Sequence, residues 1–313
     1  MISSHLLDPA LEPILANVSR VDLSNRTLPE ARAWMGSLFQ SSESREDVVT
    51  VERWLPGDDG GPDIRVLITR SARVAEHAVA VVLWVHGGGY CLGDAAQDQA
   101  LLDRIVVEHD CVAVSVDYRL APENPHPGPL RDCYLGLRWI HEHAAELNID
   151  PGRIVVAGES AGGGLAATLT QLARDRAEVA VRLQVLLYPM LDDRPAAEPH
   201  PYTGEFIWTR ADNAIAWRHL LGAESGTAHA TAYASAARAD DLSGLPPAFL
   251  IVGALDLFLD ENLAYAQRLL RAGVPTELHV HPGQVHGYRA FGTDSARRLS
   301  ADLDAALRVA LDR

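Results

Sequence analysis

Residues 158–163 read GESAGG and stand between an apolar run and a helical pattern over 161–175. A serine between spaced glycines at a strand-to-helix turn is typical of a nucleophile, because the sharp turn lifts the side chain above the sheet edge. Gly158 and Gly162 would remove side chains where the turn brings backbone segments together. We therefore predict that Ser160 is a nucleophile, the alternative being a helix-capping serine in a tight turn.

Short apolar runs rich in β-branched residues alternate with helical patterns along the rest of the chain. The runs lie at 78–85, 111–116, 153–158, 181–188, 248–255 and 276–280. The helical patterns lie at 95–109, 130–146, 161–175, 260–272 and 294–311. Continuous apolar strands are typical of a parallel sheet buried on both faces, so the alternation predicts an α/β fold. Two earlier segments, 48–55 and 63–69, are predicted to form an antiparallel pair.

Two segments depart from this alternation. Residues 1–50 carry short helical patterns, and residues 192–241 are first proline-rich, then aromatic, then alanine-rich. We interpret 1–50 as the N-terminal part of a cap and 51–313 as the core, with a cap insert at about 192–241. Large apolar side chains would pack this cap onto the core or close a pocket over Ser160: Trp34, Met35, Phe39, Phe206, Trp208 and Trp217.

The sequence HGGGY, beginning at His86, follows the apolar run 78–85 directly. A glycine run lets a loop turn its amide groups inward, and such amides stabilise the oxyanion formed in acyl transfer. The expected donors are the N–H groups of Gly88, Gly89 and Ala161. A phosphate-binding loop is the alternative, but neither of the usual glycine-rich phosphate motifs is present here.

An acid and a histidine are expected at the same edge of the sheet as the nucleophile. Asp256 lies just past the run 248–255, whereas Asp260 falls at the start of the next helix and is better explained as a helix-start acid. His286 lies in a glycine-flanked loop after the last strand, and His279 and His281 alternate along that strand as structural residues. The chain order of nucleophile, acid and histidine favours Asp256 and His286.

Taken together, these motifs resemble those of the bacterial hormone-sensitive lipase-like esterases, a family of α/β-hydrolases. The matching segments are HGGGY, DYRLAPENPHP (117–127), GESAGG, YPMLDD (188–193), ALDLFLDE and VHGY. The resemblance implies an eight-stranded, mostly parallel sheet flanked by helices under a helical cap, and hydrolysis of carboxylic esters without a cofactor or metal. It also implies supporting roles for motif residues around the site: His86, Gly87, Gly158, Glu159 and Gly162.

The chain departs from the family pattern at three points, although each keeps the catalytic atoms. Glu159 stands where Asp is frequent before the nucleophile, Leu257 follows Asp256 where Pro is frequent, and Tyr288 stands where Phe is frequent. Two other functions stay open. The same triad serves amides, lactones and carbamates, and non-catalytic receptors on this fold differ by lacking the histidine.

The formal net charge of −15 argues against binding to nucleic acid or to anionic membranes. No stretch of about 18 apolar residues and no secretory signal pattern occurs, so we expect a cytoplasmic protein. Its three cysteines form neither a disulfide framework nor a zinc motif. A small-molecule ester is the expected partner, and the resemblance allows a homodimer through the last strand or helix.

Overall fold

The structure, a computed structural model, describes residues 2–18, 20–38, 45–73 and 75–312. Within these residues, eight strands form one sheet in the order β1-β2-β4-β3-β5-β6-β7-β8. The strands are β1 Val48–Leu55, β2 Ile64–Ser71, β3 Val79–Val85, β4 Val112–Val116, β5 Ile149–Glu159, β6 Leu183–Leu187, β7 Ala248–Gly253 and β8 Thr276–His281. β1 and β2 pair antiparallel, β2 pairs antiparallel with β4, and the remaining pairs are parallel. The predicted eight-stranded, mostly parallel sheet is confirmed.

Helices cover both faces of this sheet. The α-helices of the described residues are α1 Glu12–Leu15, α2 Leu28–Leu38, α3 Gln99–His109, α4 Gly128–Glu142, α5 Ala144–Leu147, α6 Ala161–Arg176, α7 Arg210–Leu221, α8 Leu259–Arg271 and α9 Asp294–Leu311. Of these, α1, α2 and α7 lie in the two segments predicted as a cap. Alternate residues of β3 show the arrangement: Leu83 is buried in the apolar cluster that holds α4 and α6, whereas Trp84 is buried in the cluster that holds α3 and α9. Strands with two buried faces need the uninterrupted apolar runs seen in the sequence.

Two elements differ from the sequence prediction. β5 begins at Ile149, before the apolar run, because a register shift between Val79 and Val81 of β3 lets Val79 pair with Ile149. The polar residues that follow Ile149 hide this start from any apolar pattern. The helix predicted over 130–146 is interrupted at His143, so that α4 and a separate short helix, α5, replace it.

The two segments predicted as a cap contact each other. The Glu205 carboxylate accepts hydrogen bonds from the backbone N–H of Ile2, at 2.9 Å, and of Ser3, at 3.0 Å. Deeper in the protein, the backbone N–H of Leu23 donates to Asp212 Oδ1 of α7 over 2.8 Å. These contacts fasten the N-terminal segment to the 192–241 insert.

The cap boundaries stay a prediction, with one adjustment. β1 begins at Val48, so the sheet starts shortly before the boundary placed after residue 50. Of the large apolar residues predicted for the cap, Phe39 lies outside the described residues. Trp208 and Trp217 are buried in the main apolar cluster, where Trp34 is partly buried. No helix in the described ranges combines the length and the apolar character that a membrane crossing requires.

Candidate active site

Ser160 lies in a strained turn between β5 and α6. Its backbone has φ +55° and ψ −122°, a region that residues with a β-carbon rarely occupy. The turn is held on both sides, since Ser160 N–H donates to Leu187 O of β6 and Met190 N–H donates to Ser160 O, each over 2.9 Å. This conformation points the hydroxyl away from the helix and above the sheet edge.

Close backbone approach explains the glycines around this turn. A β-carbon on Gly162 would lie 2.1 Å from Val85 O and 2.3 Å from His86 O, and one on Gly158 would lie 2.3 Å from Gly162 O. Real β-carbons do not approach backbone oxygens so closely, so any side chain here would push α6 away from the end of β3. The supporting positions predicted for Gly158 and Gly162 therefore have a steric reason.

Three side chains from different loops meet at the sheet edge. Ser160 Oγ lies 2.8 Å from His286 Nε2, and His286 Nδ1 lies 2.8 Å from Asp256 Oδ2. Asp256 is fully buried, and its other oxygen accepts the N–H of Phe258 over 2.9 Å. When Nδ1–H donates to the carboxylate, Nε2 is left as the acceptor that faces the Ser160 hydroxyl.

The structure brings Asp256, and not Asp260, to the histidine. Asp260 lies exposed in the first turn of α8, where a carboxylate stabilises the positive end of the helix dipole. Phe258, between the two acids, packs its ring edge against His286 with ring centres 5.0 Å apart. This contact excludes water from one side of the imidazole.

The glycine loop after β3 lies beside Ser160. A β-carbon on Gly87 would be 3.4 Å from the Ser160 β-carbon, and Gly88 and Gly89 have φ values of +115° and +59°. In the described chain, no loop or turn hydrogen bond uses the N–H of Gly88 or Gly89. Ala161 begins α6, so its N–H has no acceptor within the helix. These donors suit an oxyanion beside Ser160.

His86 supports the glycine loop from below and does not face the site as a base. It is fully buried, its ring stacks on Tyr118 with ring centres 4.2 Å apart, and its Nδ1 lies 2.8 Å from Gly87 O. Tyr118 Oη donates to His86 O over 3.0 Å. Burial lowers the pKa of His86, so the ring stays neutral and acts as a packing residue.

A buried ionic network lies beside the triad. The motifs of the sequence pointed to Glu159 but not to its partners. Arg289 donates to Glu159 Oε2 from Nε at 3.0 Å and from Nη2 at 2.8 Å, and it also pairs with Asp98. Tyr188 Oη donates to the same Glu159 oxygen over 2.9 Å, and Trp84 Nε1 donates to Asp98 Oδ2 over 2.9 Å. Glu159, noted only as a family departure, therefore fastens the residue before Ser160 to the loop after His286.

One cation serves two buried carboxylates in this network. Burial raises the pKa of Asp98 to about 6, and the negative charge of Glu159 adds to the effect while Arg289 opposes it. Burial also disfavours the charged form of Arg289, but Glu159 and Asp98 outweigh it and raise the arginine pKa well above its usual value. Arg289 therefore stays charged and is needed by both acids.

A small apolar cavity opens over Ser160, with a volume of about 130 Å³. Both segments predicted as cap contribute to its wall, and the apolar lining residues are Val18, Val21, Trp34, Met35, Leu38, Ile207, Trp208 and Phe291. The triad side of the wall is formed by the glycine loop, Tyr188 and His286, and by three polar or charged side chains, those of Gln97, Glu159 and Arg289. A substrate held here would place one apolar group against the cap and its reacting carbon beside Ser160.

Comparison with known proteins places the chain in a family. Residues 82–290 match the family model described as the alpha/beta hydrolase fold. The chain belongs to the α/β-hydrolase family. It is 35% identical to carboxylesterase NlhH of Mycobacterium tuberculosis over 288 residues, covering 91% of this chain and 89% of that protein. It is 32% identical to ethyl acetate hydrolase of Pseudomonas putida, covering 69% of this chain and 68% of that protein.

Solved structures of family members agree with this assignment. A bacterial heroin esterase superimposes with a TM-score of 0.94 at 38% sequence identity, covering 99% of each chain. The predicted resemblance to hormone-sensitive lipase-like esterases is confirmed.

Replacing Arg289 tests the role of the network in this α/β-hydrolase. Arg289→Met leaves Glu159 and Asp98 buried without a cation, so we expect the free energy of unfolding to fall by about 3 kcal/mol. Turnover of an activated ester should fall as well, because Glu159 would no longer be held by Arg289 next to the turn at Ser160. Denaturant unfolding and steady-state kinetics measure both effects.

Arg297→Met is the matched control, since Arg297 pairs with Asp294 on the exposed surface of α9. Exposed pairs contribute less than about 1 kcal/mol, so this variant should unfold nearly like the original protein. Equal losses of stability in the two variants would contradict the role given to Arg289.

Proposed function

We propose that this protein is a carboxylesterase that hydrolyses esters with short to medium acyl chains through an acyl-enzyme on Ser160. The observation that carries the proposal is the continuous chain of 2.8 Å contacts from Ser160 through His286 to Asp256, at the floor of an apolar cavity. The names of the similar proteins, carboxylesterase and ethyl acetate hydrolase, support the ester class.

In the first half of the reaction, Ser160 Oγ attacks the ester carbonyl carbon while His286 Nε2 accepts the hydroxyl proton. The buried Asp256 carboxylate holds the imidazole in place and stabilises its positive charge. The carbonyl oxygen becomes an oxyanion that accepts hydrogen bonds from the N–H groups of the glycine loop and of the first residue of α6. Donors of this kind contribute about 3–4 kcal/mol each to transition-state stabilisation.

The tetrahedral intermediate then breaks its bond to the alcohol oxygen, which takes the proton from His286 and leaves. The acyl group remains on Ser160. In the second half, a water molecule gives a proton to His286 and attacks the acyl carbon, and Ser160 recovers its proton as the acid leaves. The chain itself supplies nucleophile, base and oxyanion donors, so the proposal invokes no cofactor.

Two alternative functions remain to be compared with ester hydrolysis: hydrolysis of other acyl compounds, and ligand binding without catalysis. Amides, lactones and carbamates use the same triad, so substrate assays must separate them from simple esters. A non-catalytic receptor on this fold would lack the histidine, whereas His286 is present and lies within hydrogen-bond distance of Ser160. The receptor alternative is therefore disfavoured by the geometry of the site.

The choice between the two acids has a direct test. Asp256→Asn should lower turnover roughly 10⁴-fold, because the amide favours the wrong imidazole tautomer. Asp260→Asn, its matched control in the same segment, loses only an exposed helix-start charge worth about 0.3–1 kcal/mol of stability. Steady-state hydrolysis of p-nitrophenyl acetate by both variants measures the difference, and the reverse ranking would mean that Asp260 is the catalytic acid.

The small cavity over Ser160 sets the expected acyl preference. Each methylene that the cavity buries adds about 0.8 kcal/mol, close to a fourfold gain in kcat/KM, until the cavity is full. Longer chains then meet the wall formed by α2 and residues 207–208. Across p-nitrophenyl esters from acetate to palmitate, kcat/KM should peak at short to medium chains, and the matched p-nitroanilides should react far more slowly.

A variant of the wall sharpens this test. Met35→Ala enlarges the cavity and should move the maximum to longer acyl chains, whereas Val309→Ala, exposed on α9, should leave it unchanged. A steady rise of kcat/KM to palmitate in the original protein, or activation at an oil–water interface, would contradict the limit set by the cap.

A further inference from the structure

A cluster of two histidines and an aspartate lies between β8 and α9, and we call it the β8–α9 cluster. His279 and His281 are two residues apart on β8 and therefore project from the same face of the strand. Asp302 of α9 lies opposite them, and one ligand atom from each of the three side chains falls within 4.8 Å of the others. Two imidazoles and a carboxylate are ligands that first-row transition ions accept.

The spacing inside the cluster matches that of ligand atoms around a shared ion. Asp302 Oδ2 lies 3.5 Å from His279 Nδ1 and 3.2 Å from His281 Nε2. Zinc bonds of about 2.0–2.1 Å in tetrahedral geometry put neighbouring ligand atoms about 3.3 Å apart. The contact between His281 and Asp302 is also a hydrogen bond, but it is longer than the range of about 2.7–2.9 Å that is usual for a charged pair.

The remaining nitrogen of each imidazole is already held by another group. His279 Nε2 lies 2.5 Å from Glu277 Oε1, and His281 Nδ1 lies 3.0 Å from Tyr288 Oη. In metal sites, the ring nitrogen that does not bind the ion commonly donates its N–H to a carboxylate or another oxygen. Glu277 and Tyr288 thus orient both rings so that their free nitrogens face Asp302.

Access from solvent also suits an ion. The side chains of His279 and Asp302 are 25% and 23% exposed, so the cluster opens to solvent on one side. His281 is buried and closes the inner side.

A second cluster of potential metal ligands in the described chain differs, because a protein side chain already supplies its positive charge. Glu108, His109 and Asp304 also lie close together, but Arg104 Nη1 lies 2.6 Å from Glu108 and 2.6 Å from Asp304. In that cluster, the Arg104 guanidinium lies where a metal ion would otherwise bind the carboxylates. Within the described residues, Asp302 pairs with the two histidines and with no arginine.

We propose that His279, His281 and Asp302 bind one divalent transition-metal ion of the Zn²⁺ class, with water completing the coordination. The ion would join the edge strand β8 to α9. From the sequence alone, the two histidines were predicted to be structural and no metal was predicted, so the proposed site departs from both expectations. Asp302 gives no local signal, because it reaches the histidines only through the packing of α9.

Zinc titration of the chelator-treated full chain tests the proposal by calorimetry, with thermal unfolding as a second readout. We expect one Zn²⁺ per chain and a higher Tm when zinc is bound. His279→Ala and Asp302→Asn should each weaken binding at least about tenfold and abolish the Tm rise, since even the outer partners of metal ligands are worth 10–100-fold. Both side chains are partly exposed, so these variants should fold, and circular dichroism checks this.

His109→Ala, in the cluster that Arg104 fills, is the matched control and should bind zinc like the original protein. Absence of binding in the original chain would overturn the proposal. Unchanged zinc binding in His279→Ala and Asp302→Asn would also overturn it. A loss of zinc binding confined to His109→Ala would do the same, because both outcomes would show that the ion binds elsewhere.

Discussion

The strained turn at Ser160 is the constraint on which the rest of the site depends. Holding a residue with a β-carbon in this conformation lowers the free energy of unfolding by about 1–3 kcal/mol, and interactions in the surrounding structure must offset this loss. Hydrogen bonds to Leu187 O and from Met190 N–H do so, and Gly162 allows α6 to lie directly against the end of β3. In this conformation, the Ser160 hydroxyl lies 2.8 Å from His286 Nε2.

Parallel strands then deliver the other groups to the same place. The loops after β3, β7 and β8 leave the carboxyl edge of the sheet together, and they carry the glycine loop, Asp256 and His286. The loop that follows β8 is held in place by Arg289. This side chain forms ion pairs with Glu159, beside the nucleophile, and with Asp98, just before α3. A charged network that contributes no atom to the proposed reaction thus connects the segments that carry Ser160 and His286.

The sequence predicted features that have a local signal and missed those that arise only from packing. Apolar runs and the spacing of glycines indicated the strands and the turn at Ser160, and chain order selected Asp256 and His286, which the structure brings together. Arg289 and Asp98 are 191 positions apart, and no pattern near either residue indicates the other. The start of β5 was missed for a similar reason, because Ile149 joins the strand only through its pairing with Val79.

Covalent labelling tests most directly whether Ser160 in this turn is the nucleophile activated by His286. The protein would be treated with a fluorophosphonate, and the adduct mapped by mass spectrometry in the original chain, in Ser160→Ala and in His286→Ala. The account predicts one adduct per chain, on the peptide that contains Ser160, no adduct in Ser160→Ala, and much slower labelling in His286→Ala. An adduct on another serine, or an unchanged rate without His286, would contradict it.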